Sequence, residues 1–330
     1  MKFISRTIAA SENFLKILID GDTYTLADFS SKFKTSDFSL DEKLKECIIE
    51  YRGTNMTYNE MCKKHFQFSE SLHFFNRYNE EIYPLEHFIL ICNTDYYKAA
   101  KFLHKAEKCL QTARYYLLCS ENLLSTDYEI NWSGGYQAQF GIRTYHFTTA
   151  VIWYNNCFDY ILQIVYLAFA LYKKVSGYDA SLPFEDLLKK CRYETLEKIY
   201  NANNAIPSFV ALWNIISDCR NALSNINLWA NFIKHKGGIE FEGTTPPTPL
   251  QMSISDENGN KVAENSEFDA IVLDLDHSIH ELGDVHKALH KCLDEIVTFI
   301  DFNAAIPTKD ATDGKLLIPD KTTYVKILLP

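Results

Sequence analysis

The stretch RNALSNINLWANFIKHKGG, from Arg220 to Gly238, holds residues suited to handling a phosphate. An arginine pairs a phosphate with two parallel hydrogen bonds, and Asn221 and Asn225 could orient the bound group. Asparagine can hydrogen-bond a phosphate but cannot serve as a general base at neutral pH. On a wheel of about 100° per residue, Ser224, Asn227, Asn231 and Lys234/His235 share the arginine's side of a helix. Leu223, Ile226, Ala230 and Ile233 occupy the adjoining side. The pattern is an apolar seam bordered by a polar stripe about 22 Å long, ending in Lys234, His235 and Lys236. The catalytic candidates are Arg220, Asn221, Asn225 and His235; Lys234, Asn227 and Asn231 are the substrate-binding ones. No metal ligand or cofactor motif accompanies them.

A cationic last turn is also what a helix dipole favours on a solvated face. This stripe, however, is built of Ser and Asn, poor helix formers, rather than Glu and Lys. A second polar stripe, Asn156, Asp159 and Gln163, interrupts the most apolar part of the chain at i, i+3 and i+7. The two could pair as an internal network in which Asp159 meets Arg220 and Asn156 supports it.

The elements that must position these residues are mainly helical. The chain has 330 residues, 47% apolar and 23% charged, with only 12 Gly and 9 Pro and with 14% aromatics. That composition fits long helices with a bulky core rather than an all-β fold. Residues 1–84 read as a cap segment, mixed or helical, in which LKILIDGDTYTL is either a hairpin turning at Asp20-Gly21 or a helix ending there. Helical spacing then sets in: a first helix from about Pro84 to Ser125, a WSGG break at 132–135, and a second from about Gln137 to Val175. A third runs from Pro183 to about Asn201, and a fourth from about Ser208 to Lys236, stopped by Gly237-Gly238. Short connections suggest an up-down bundle over residues 85–238. Residues 239–275 hold the Pro-rich TTPPTPL and a β-hairpin, in which an extended run at Leu250, Met252 and Ile254 is joined through the Asn-Gly of DENGN to FDAIVLDL. A fifth helix, from about Asp276 to Asp301, and a tail ending TYVKILLP complete the chain.

A helical bundle whose last long helix carries Arg-Asn followed by polar residues resembles the HEPN superfamily (higher eukaryotes and prokaryotes nucleotide-binding domains). NFIKHKGG is also similar to uncharacterised bacterial members. The resemblance covers roughly Pro84 to Gly238. It implies a HEPN-like bundle with a small β-hairpin insert and an RNA- or nucleotide-associated protein of phage defence or toxin–antitoxin biology. It further implies metal-independent endoribonuclease chemistry in a homodimer, or a protein partner such as an antitoxin. The family motif is Arg, a polar residue, then a His four to six residues on; here Arg220 and Asn221 match, but the histidine positions hold Asn225, Ile226 and Asn227. His235 lies about four helical turns beyond Arg220. The motif is therefore degenerate, and weak or absent cleavage is expected unless a partner chain supplies His235.

Other patterns carry less. Thr57 to Phe75 resembles a helix-turn-helix, an alternative DNA-reading segment, although no Gly marks its turn. His277/His280 and His286/His290 have metal-compatible spacings, but the two pairs point to nearly opposite sides of one helix. AIVLDLD resembles the nucleophile strand of haloacid-dehalogenase-like phosphatases, yet too little chain follows it for that fold. There is no phosphate-loop, dinucleotide or nucleophile-elbow motif. The 33 basic residues against 43 acidic ones give a net charge of −10, so any nucleic-acid contact must be local. Nine Cys without a C-x-x-C fit reduced, mostly buried thiols. The most apolar run, Tyr160 to Tyr172, falls short of the roughly twenty residues of a membrane span. With no signal peptide seen, a cytoplasmic protein that binds no membrane is expected.

Overall fold

The structure is a computed structural model that describes residues 16–19, 22–24, 44–45, 47–124, 136–203, 205–236, 238–242, 253–255, 261–264, 271–302, 308–309 and 316–317. The fold is mainly α, as the composition indicates, with short strands at both ends. No helix among the described residues is long and apolar enough to cross a membrane. The chain divides into two compact units: Met1–Leu72, Arg114–Val151 and Leu228–Gly283 make the first, and His73–Ala113, Ile152–Asn227 and Asp284–Pro330 the second.

The first unit opens with a four-stranded antiparallel sheet, β1 (Lys16–Ile19), β2 (Asp22–Tyr24), β3 (Ile48–Tyr51) and β4 (Thr54–Thr57), in the order β2-β1-β3-β4. LKILIDGDTYTL is thus a hairpin, its Asp20-Gly21 turn lying outside the described residues. Strands β3 and β4 are joined by Arg52-Gly53, whose φ values of 49° and 70° give the two-residue turn that matches strand twist. The pleat points Ile17, Ile49, Tyr51 and Met56 into a core shared with Leu44, Cys47, Met61 and Leu124.

Thr57 ends β4 and caps helix α1 (Tyr58–Ser71): its side chain accepts the Glu60 N–H, and Glu60 reaches back to the Thr57 N–H at 2.7 Å. A single helix therefore occupies most of the segment that resembles a helix-turn-helix. The carbonyls at its C-terminus are taken by Arg114, which donates to Leu72 O at 2.7 Å and Ser69 O at 3.1 Å.

A parallel pair, β5 (Ile239–Phe241) with β8 (Ile271–Leu273), and an antiparallel hairpin, β6 (Ser253–Ser255) with β7 (Lys261–Glu264), complete the unit's strands. The hairpin insert exists, but its second strand is Lys261–Glu264. The run FDAIVLDL instead supplies the parallel partner of β5, a pairing that leaves no local turn signal. TTPPTPL and the DENGN turn lie outside the described residues.

The second unit contains a π-helical turn (Tyr78–Ile82), a 3-10 turn (Tyr83–Leu85) and α2 (Glu86–Cys92). The expected first helix then restarts as α3 (Thr94–Glu121), because the Asn93 side chain accepts the Asp95 and Tyr96 N–H groups and caps a new helix. Helix α4 (Tyr136–Ala168) stops short of Val175, since Ala170 turns left-handed (φ 51°) into a 3-10 turn, Leu171–Lys174. The third helix is two, α5 (Phe184–Lys189) and α6 (Tyr193–Ala202). The fourth is also two, α7 (Pro207–Ala222) and α8 (Ser224–His235), separated at Leu223. Helix α9 (Leu275–Ile300) follows the expected bounds; the chain's final TYVKILLP lies outside the described residues.

Helices α3, α4, α8 and α9 give residues to both units. Within the second, buried thiols tie helices to one another. Cys109 Sγ donates to the Trp153 carbonyl at 3.0 Å, and Cys157 Sγ faces the Ala106 carbonyl at 3.6 Å, joining α3 to α4. The described cysteines are free thiols and most are buried, as their spacing indicates.

Candidate functional site

The Arg220 stretch is built differently from one straight stripe. The helix breaks at Leu223, whose N–H is shared among the Cys219, Arg220 and Asn221 carbonyls. Ser224 and Asn225, weak helix formers, begin the next helix. The apolar seam is real: Leu223, Ile226 and Ala230 are buried. Arg220, in the second unit, is half-buried, with its guanidinium 5.8 Å from the Phe158 ring centroid and 5.5 Å from that of Tyr193. Tyr193 packs on Trp213 at 5.1 Å, and Trp213 stacks on Tyr200 at 5.2 Å. The arginine thus caps a ladder of rings, an arrangement that holds a planar cation while leaving it charged.

Asn221 and Asn225 are exposed nearby in the chain and Asn227 is half-buried. Asp159 is exposed and Asn156 half-buried, so the expected internal network is not enclosed. Asn231, Lys234 and His235 belong to the first unit, where all three are exposed on α8.

The four α9 histidines separate. His277 and His280 are exposed in the first unit, and the second unit holds His286 and His290. His286 is fully buried, held by the Tyr154 hydroxyl at Nδ1 (3.1 Å) and the His73 carbonyl at Nε2 (2.9 Å). Among the described residues no group of three His, Cys, Asp or Glu could hold a metal.

A cleft with a buried arginine at its base carries no motif in the sequence. It lies in the first unit, has a volume of about 170 Å³ and opens to solvent. Its floor is Arg143, from α4, whose side chain is 4% exposed. Three donors of this guanidinium are committed: Nε to the Ser120 carbonyl (2.7 Å), one terminal nitrogen to the Tyr51 hydroxyl (2.8 Å) and the other to Asp276 (2.6 Å). Arg52, from the β3–β4 turn, also pairs with Asp276 (3.1 Å) and with Asp274 (2.7 Å). Asp274 in turn accepts the His277 N–H and caps α9. Burial opposes the Arg143 charge, but Tyr51 and Asp276 outweigh it and hold the group above its ordinary pKa. Burial raises the Tyr51 phenol, which stays a neutral donor and acceptor at pH 7.

Across the cleft, α1 places Lys64 and His65, and the end of α3 places Glu121 and Asn122. His65 Nδ1 meets the Glu121 carboxylate directly. These residues come from five separated segments. Only two local cues existed in the sequence: a lone arginine in the aromatic run FGIRTYHF, and Thr57-x-x-Glu60 as a capping box.

No family model matches the chain, and neither a curated protein nor a solved structure matches it.

Proposed function

We propose that this is an RNA- or nucleotide-associated helical protein of the HEPN-like kind that binds through Arg220 and cleaves weakly or not at all. The observation that carries this reading is the seat of Arg220 on Phe158 and Tyr193, beside the exposed Asn221 and Asn225. A guanidinium oriented on aromatic faces needs little ordering to meet a phosphate. Cleavage lacks a base, because Asn225, Ile226 and Asn227 stand where the motif requires an imidazole and Ile226 is buried. The wider setting implied by the resemblance belongs to the same proposal. It comprises a bacterial cytoplasm, a homodimer or an antitoxin-like partner, and phage defence or toxin–antitoxin biology.

The test is a titration of fluorescent single-stranded RNA, with cleavage followed in EDTA and with Arg220→Ala alongside. Salt-sensitive binding that falls at least tenfold in a variant melting near the wild type supports the reading. Equal binding by both proteins refutes it.

A second reading, a non-catalytic helical interaction protein, is favoured by the ring ladder behind Arg220. Tyr193, Trp213 and Tyr200 make the arginine part of the packing of α6 on α7. It predicts no RNA binding and a loss of stability in Arg220→Ala.

A further inference from the structure

We infer that the first-unit cleft is a binding site for a small organic anion, whose acid group sits on Lys64 and Asn122 and whose apolar body lies against methionine and aliphatic side chains. The argument is one of charge and of spent hydrogen bonds. Each carboxylate at the cleft already has a partner within the protein. Glu121 meets His65, and Asp276 is held by Arg143 at 2.6 Å and by Arg52 at 3.1 Å. A cationic ligand would therefore meet carboxylates whose charge is already balanced within the protein. Arg143 is held by Ser120, Tyr51 and Asp276, so the charge of the floor is balanced within the protein.

What the rim still offers is positive. Lys64 lines the cleft and makes no ion-pair contact among the described residues, although its charge acts at longer range on Glu60. Glu60, one turn back on the same helix, has its carboxylate on the backbone and hydroxyl of Thr57. Asn122 uses its side-chain oxygen to accept the Leu124 N–H at 3.2 Å, which fixes the amide and leaves its NH₂ as the donating end. An ammonium and an amide NH₂ lining one cleft suit a carboxylate or phosphate. The rest of the lining includes Met56, Met61, Leu123 and Ile279, which would cover an apolar body. A volume of about 170 Å³ lies below the ~300–1,000 Å³ of sites for drug-sized ligands, so the ligand is of small-metabolite size. The Arg220 stretch contributes none of these residues, and the inference stands apart from the reading above.

Calorimetric titration of the full-length protein with benzoate, phenyl phosphate and benzyl alcohol tests it. The expected result is saturable binding of one or both anions and none of the alcohol. Lys64→Gln and Asn122→Asp should each weaken binding at least fivefold; the second variant keeps the side-chain shape and puts a negative charge in the seat. Melting temperatures identify any variant that fails to fold, and Lys64→Gln changes only an exposed side chain. Benzoate alone marks a carboxylate site and phenyl phosphate alone a phosphate site. Benzyl alcohol binding as tightly as the anions, indifference to Lys64→Gln in the folded variant, or no saturable binding of any probe would overturn the inference.

Discussion

Arg143 in the first unit and Arg220 in the second show two ways a helix can carry a guanidinium. Arg143 is buried and spends its donors on a carbonyl, a phenol and a carboxylate. Arg220 is half-buried and rests on two aromatic faces. Removing the first strips hydrogen bonds from buried acceptors, whereas removing the second mainly uncovers rings. The arginine that looks catalytic in the sequence is therefore the less constrained of the two. The one that organises a cleft sits in an aromatic run with no motif around it.

The contrast is sharpest in stability. Truncating Arg143 to Ala should cost about 3 kcal/mol in denaturant unfolding, the low end for breaking a buried ion pair, because Asp276 keeps Arg52. A loss under about 1 kcal/mol would mean that the network is not what holds the β3–β4 turn to α4 and α9. Within that network Tyr51→Phe should cost about 1 kcal/mol. A double-mutant cycle with Arg143→Ala should show coupling of similar size, since the two side chains share a 2.8 Å hydrogen bond.

The second unit supplies the opposite case, a buried acid with no ion-pair partner among the described residues. Glu107 is 1% exposed and accepts the Tyr78 N–H at 3.0 Å and the Asn79 amide at 2.5 Å, at the start of the π-helical turn. Burial pushes its pKa from 4.5 to about 7, with the Tyr78 N–H pulling the other way. Between those values the folded state binds more protons than the unfolded one, so stability falls as pH rises through that window. The expected fall, relative to Glu107→Gln, is about 3 kcal/mol between pH 4.5 and pH 8. Parallel pH–stability curves for the two proteins would show that Glu107 titrates normally and that a partner neutralises it, as Asp276 does for Arg143.

Much of the helical skeleton was legible, because the 3.6-residue period is written in the chain itself. The buried seam of Leu223, Ile226 and Ala230 and the bounds of α9 follow directly from spacing. Breaks one residue wide were not legible. Leu223 continues the apolar pattern while interrupting the helix, and Asn93 falls inside the helical spacing although its side chain caps the helix that follows. The β5–β8 pairing was hidden for another reason: a parallel register is set by side chains meeting in space, with no turn sequence to announce it. The cleft shows the same limit more strongly. Tyr51 and Asp276 touch across 225 residues of chain, and no local window contains both.

The smallest effect tests the comparison at its other end. Arg220→Ala should cost about 1 kcal/mol: the two cation–π contacts are worth about 0.5–1 kcal/mol each at a partly exposed site, and re-hydration of the uncovered rings offsets part of the loss. Asp159 is exposed, so the truncation leaves no buried charge behind. Arg220→Lys should lose less, because an ammonium keeps the charge but cannot lie flat on Phe158 and Tyr193. If Arg220→Ala instead destabilises the protein as much as Arg143→Ala, the ring ladder of Tyr193, Trp213 and Tyr200 depends on its arginine cap. The residue would then belong to the packing of α6 on α7 rather than to a phosphate site.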